Sequence, residues 1–154
     1  MESERQSRRL ELLAKANERS ELADEYFAKE EESAKRAQPE IETLEGQVQR
    51  ILAETEEKRN LSNALSHEFR RLYEESHEAY ANDDPGQARR LSQEAHKIKN
   101  KCETLNEEIG SLYDKIKRLH NRKAELISEA KSWHDRAITE IEKAKELRNQ
   151  ANRV

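Results

Sequence analysis

Ala88, Leu91, Ala95, Ile98, Cys102, Leu105, Ile109, Leu112, Ile116, Leu119, Lys123, Leu126, Ala130, Trp133, Ala137, Glu140, Ala144, Leu147, Ala151 and Val154 recur in alternating steps of three and four residues, and only Lys123 and Glu140 in this ladder are not apolar. Side chains at that spacing lie along one edge of an α-helix, and a ladder sustained over so many heptads marks a coiled-coil seam. At about 1.5 Å per residue, such a helix would be on the order of 100 Å long. Its apolar edge must find a partner to leave water.

The residues before it carry a matching edge: Leu13, Ala16, Ala23, Phe27, Ala34, Ala37, then Ile41, Leu44, Val48, Ile51, a polar trio of Thr55, Lys58 and Ser62, then Leu65, Phe69, Leu72, Ser76 and Ala79. Pro39 falls inside this run. A proline can open a helix, with Glu40 and Glu42 then favouring its positive end, or kink one that continues. The ladder keeps its phase through Pro39, which a reversal would have no reason to preserve. The first arm, 3–81, is therefore predicted to be continuous and kinked near Pro39.

Asn82-Asp83-Asp84-Pro85-Gly86 is a much stronger break. Asp84 suits a helix N-cap, Pro85 the first helical position, and Gln87 the far corner of a capping box. The predicted fold is all-α: one long antiparallel coiled-coil hairpin of arm 3–81, turn 82–86 and arm 86–154, a single elongated domain over 1–154, able to pair into a helical-bundle dimer. Folding the ladder about the turn sets Phe69 opposite Ile98, Leu65 opposite Cys102, Ile51 opposite Ile116, Trp133 opposite Ala34 and Glu140 opposite Phe27. Lys58, Lys123 and Glu140 are tolerable in the seam, because long charged side chains can snorkel out of a two-stranded coil. Gly46 and Gly110 lie inside the arms, where glycine costs about 1 kcal/mol relative to alanine.

Composition agrees. Of the 154 residues, 40 % are charged and 33 % apolar, with 3 Gly and 2 Pro, which leaves little for turns. The net charge of -4 gives no bulk attraction to nucleic acid or to an anionic membrane. The single cysteine, Cys102, falls in the seam, where a free thiol behaves as a small apolar residue and suits a reducing cytoplasm. No apolar run approaches the ~20 residues of a membrane span, and Met1-Glu-Ser-Glu-Arg is not a signal peptide.

Beside the seam lies a second stripe that a two-stranded coil does not need. Leu52, Tyr73 and Tyr80 flank the first arm; Tyr113, His120, Ile127, His134 and Ile141 flank the second. Leu12, Tyr26 and Leu61 lie on the opposite flank. Leu52, Tyr73, Tyr80, Tyr113, Ile127 and Ile141 form the candidate face for a protein partner or a second copy of the chain. Charge is uneven too: residues 21–57 hold twelve acids against four Lys or Arg, and residues 89–123 hold ten Lys or Arg against five acids. In-register pairing between arms is one reading of this. The other is a phosphate-binding patch near the turn made of Arg70, Arg71, Arg89, Arg90, Lys97, Lys101, Lys115, Arg118 and Arg122.

Motifs for chemistry are sparse. Glu74 and His77 have helical metal-ligand spacing, but no second copy exists, and no histidine pairs with Cys102 in zinc spacing. No phosphate loop or nucleophile elbow is present. No cofactor, metal or small-molecule substrate is expected, and the protein reads as a non-enzyme.

The run Ala79-Tyr80-Ala-Asn-Asp83-Asp84-Pro-Gly86-Gln-Ala88-Arg-Arg-Leu91-Ser92, followed by Asn106, resembles a short helical domain of unknown function usually found just before small MutS-related (Smr) nuclease domains. The resemblance covers residues 69–113. It implies an accessory helical hairpin near RNA or DNA processing and transfers no catalytic residue. Two functional expectations stand: a coiled-coil scaffold binding a protein or itself, or an accessory factor touching RNA, DNA or a ribonucleoprotein.

Overall fold

The computed structural model describes residues Met1–Val154. Helix α1 spans Glu2–Ala81 and helix α2 spans Pro85–Arg153; there is no strand. The two pack against each other as an all-α helical hairpin, with bonds such as Ser62 to Asn106 and Ser76 to Ala88 running between them.

Helix α1 continues through Pro39. The proline is exposed, and so is Lys35, whose carbonyl loses its helical donor there. That carbonyl lies on the wet side of the helix, where water can satisfy it. Thr43 Oγ1 also donates to the Pro39 carbonyl at 2.9 Å.

The reversal needs only three residues. Asp83 takes a left-handed backbone, φ 58°. Its N–H reaches back to the Tyr80 carbonyl at 3.2 Å, and the Asp84 N–H reaches the Ala79 carbonyl at 2.9 Å. This pair of bonds is a Schellman C-cap, with aspartate where glycine is usual. Asp84 then caps α2: its carbonyl accepts from Ala88 N–H at 3.0 Å and its Oδ1 from Gln87 N–H at 3.2 Å. The expected capping box is thus half formed, because the Asp84 N–H is already engaged by α1.

Two compact units divide the chain, one made of residues 44–120 and one of residues 1–43 with 121–154. The 44–120 unit contains the reversal. Its core is Leu44, Val48, Leu72, Leu112 and Ile116, with Ala88 and Ala95 nearest the turn. Each buried Leu or Ile contributes about 1.5–3 kcal/mol. The polar trio in this seam is satisfied. Thr55 is buried and donates to its own helix at the Ile51 carbonyl, 2.8 Å away. Ser62 donates to Asn106 Oδ1 at 3.1 Å. Lys58 does leave the seam, and its Nζ meets Glu108 at 2.7 Å. Cys102 Sγ lies 4.0 Å from Ser66 Oγ and 3.8 Å from the Ser62 carbonyl, bracketing the expected Leu65 level.

The other unit has an alanine seam: Ala16, Ala23, Ala37, Ala137, Ala144 and Ala151 are buried, with Leu126. Helix separation follows the size of the side chains at the contact, so small ones draw the flanking residues inward. Two seam expectations change here. Ala34 is exposed and Ser33 takes its place on the buried edge. Trp133 instead lies 5.9 Å from the Tyr26 ring, with Lys29 Nζ 4.7 Å above it. Glu140 does not snorkel. It is buried, and Arg19 Nη1 reaches it at 3.0 Å and Lys143 Nζ at 3.4 Å. No buried side-chain nitrogen or oxygen in the chain lacks a hydrogen-bond partner.

Candidate interaction surfaces

A heptad seam hides two edges and leaves its flanks half covered, so a flanking apolar residue shows its value only outside the pair. Leu52, Tyr73, Tyr80, Tyr113, Ile127 and Ile141 are all exposed, between 42 and 73 %. Four of them, Leu52, Tyr73, Tyr80 and Tyr113, belong to the 44–120 unit; Ile127 and Ile141 belong to the other. The rings are held by neighbours along their own faces. Tyr73 stacks on Phe69 with centroids 5.9 Å apart, and His77 meets it edge-on at 4.6 Å. The Arg59 guanidinium lies 5.7 Å from the Tyr113 centroid, a contact between the two helices. On the opposite flank Leu61 is exposed, whereas Leu12 and Tyr26 are half-buried.

The nine candidate phosphate-binding cations separate into two groups. Arg71 is clamped by Glu68 and Glu75 on its own helix. Its hydrogen bond to Glu68, the largest influence, raises its pKa further and lowers that of Glu68. Arg122 reaches Glu40 across the helices at 3.0 Å and Glu125 on its own helix at 3.3 Å. The Glu40 bond is the main cause of its raised pKa. Those two cations are neutralised locally. Arg70, Arg89, Arg90, Lys97, Lys101, Lys115 and Arg118 are exposed and make no ion pair within the chain.

The sequence reading missed a cleft that joins two of these cations to the seam. Gln47, Arg50 and Ile51 of α1 and Lys115, Arg118 and Leu119 of α2 line it within the 44–120 unit. Ile51 and Leu119 are legible in the sequence as seam residues and Lys115 and Arg118 as candidate cations, but not that Gln47 and Arg50 join them around one cleft. Trp133, expected opposite Ala34, also meets two cations. Its ring lies between Lys29 and Arg136, whose guanidinium carbon is 4.6 Å from the centroid. Glu74 and His77 gather no further ligands, and no group of three or more His, Cys, Asp or Glu is placed to hold a metal ion. No helix is long and apolar enough to cross a membrane.

Residues 56–108 match the model of a family described as a domain of unknown function, DUF1771. The chain therefore carries a short helical domain of unknown function there, within the 44–120 unit, taking in the reversal and the helical stretches on either side of it. No curated protein and no solved structure matches the chain.

Proposed function

We propose that the hairpin is a non-enzymatic coiled-coil interaction module that binds a protein partner, or a second copy of itself, through the flank bearing Leu52, Tyr73, Tyr80 and Tyr113. The observation that carries this is the outward exposure of these side chains beside a seam that is complete without them. Aromatic residues at such positions gain from burial against a partner, where tyrosine is enriched and its hydroxyl can stay hydrated. The test is sedimentation equilibrium of the full chain, with pull-down from native cells, for wild type and for Tyr73→Glu/Tyr113→Glu. The variant should keep its helix content and lose the association. A chain that stays monomeric and recovers no partner sensitive to that variant would refute the proposal.

A second reading rests on Arg70, Arg89, Arg90, Lys97 and Lys101, whose charges no carboxylate of the chain neutralises. The resemblance to domains that precede Smr nuclease domains supports it. RNA or DNA bound there would show an affinity that falls steeply with salt, and Arg89→Ala/Arg90→Ala would reduce the salt slope by up to about 2. A flat titration with both nucleic acids removes this reading.

A further inference from the structure

We infer that the other flank of the 44–120 unit, opposite the tyrosine face, is a docking groove for an acidic amphipathic helix of a partner protein. This goes beyond the tyrosine-face proposal and shares no residue with it; Lys101 alone is common to the nucleic-acid reading. Two clefts open on that flank between α1 and α2. Ile51 and Leu119 line the first with Gln47, Arg50, Lys115 and Arg118. Leu61, Leu65 and Leu105 line the second with Asn100, Lys101 and Thr104. Ile51 and Leu65 lie two heptads apart on α1, about 21 Å at the helical rise, so four turns of a third helix would reach from one cleft to the other. Between them Lys58 pairs with Glu108 at 2.7 Å and is also close enough to Glu54 to feel its charge, so the cations open to a partner lie at the two clefts and not between them.

Charge decides the occupant. Arg50, Lys115, Arg118 and Lys101 make no ion pair within the chain; Arg50 only reaches the Gly46 carbonyl, at 3.5 Å. Cations around an aliphatic floor call for carboxylates beside apolar anchors, the pattern of a helix laid in a groove. A nucleic acid would satisfy the cations but leave the leucines and isoleucine wet, and neither cleft offers an aromatic ring for a base to stack on. A second copy fits poorly. Ile127 and Ile141 are an exposed apolar pair at the right spacing, but Lys131 and Lys145 stand one turn beyond each and would face like charge.

The experiment uses the full chain as bait for a displayed library of helical peptides about 21 residues long (about 31 Å, the span between the clefts plus about one turn at each end) with randomised apolar and charged positions. The expected outcome is enrichment of acidic helices with apolar anchors two heptads apart. A synthetic peptide of the enriched sequence should bind at least about tenfold more weakly to Arg50→Glu/Lys115→Glu/Arg118→Glu. That variant changes only exposed residues and should keep wild-type helix content. Binding should also weaken with salt and be unaffected by Tyr73→Glu/Tyr113→Glu, so the two surfaces succeed or fail separately. No enriched class, enrichment of neutral or basic helices, or binding that survives the charge reversal would overturn the inference. So would a selection that fails while the same triple variant abolishes binding of an RNA oligonucleotide, or self-association of the chain.

Discussion

Glu140 holds a seam position with its side chain only 9 % exposed, and it depends on Arg19 from the facing helix. Arg19→Ala removes that donor and leaves the carboxylate with Lys143 of its own helix, 3.4 Å away. A hydrogen bond to a charged group is worth about 1.5–3 kcal/mol. The Arg19 side chain is 44 % exposed, so solvent screening places the loss at the lower end, about 1.5 kcal/mol. Glu140→Leu removes the buried charge altogether and should be neutral or mildly stabilising, within about 1 kcal/mol. In that background Arg19→Ala should cost less than about 0.5 kcal/mol, giving a coupling of about 1 kcal/mol. Urea unfolding followed by Trp133, the chain's one tryptophan and a member of the same unit, measures the whole cycle. A coupling near zero would show that the charge pair does not govern this seam position, and a Glu140→Leu loss above about 2 kcal/mol would refute the expected offset between the pair and its desolvation. The acid limb gives an independent reading. Burial is the strongest influence and pushes the Glu140 pKa up, but Arg19 and Lys143 together hold it below its ordinary value of 4.5. A depressed folded pKa means that the stability is complete above pH 4.5 and is lost as pH falls through the folded value. Glu140→Gln should flatten that limb of the stability profile below pH 4.5.

Other outcomes follow from the backbone. A Cβ added at Gly46 or Gly110 meets nothing within 4 Å, so Gly46→Ala and Gly110→Ala should each stabilise by about 0.5–1 kcal/mol in thermal unfolding. Asp83→Gly should stabilise by about 1 kcal/mol by relieving the left-handed backbone, whereas Asp83→Val should destabilise by at least as much, both read from denaturant midpoints. Pro39→Ala restores a donor to a continuous helix and should raise stability by up to about 3 kcal/mol, with hydrogen exchange slowing at residues 39–43.

The sequence was enough to establish that there are two helices, where they reverse and which edges they share. Heptad periodicity is a local property, and nearly every residue of the two ladders is buried or half-buried, Ala34 and Val154 excepted. The Asn82–Gly86 signal placed the reversal because its backbone chemistry is local too, although Asp83 as a left-handed C-cap needed the two bonds back to Tyr80 and Ala79. The domain of unknown function was also legible, from residues around that reversal. Tertiary structure alone decided which side chain reaches which across the seam. Periodicity gives the direction in which a residue points, but the partner a long side chain finds depends on how close small residues let the helices come. Hence Trp133 lies on Tyr26 and Lys29, and Glu140 is buried on Arg19. For the same reason a run of cations in the sequence could not show that Arg71 and Arg122 are neutralised while Arg50, Lys115 and Arg118 surround an apolar cleft. Charge can be counted along a chain, but its pairing is settled only where two helices meet.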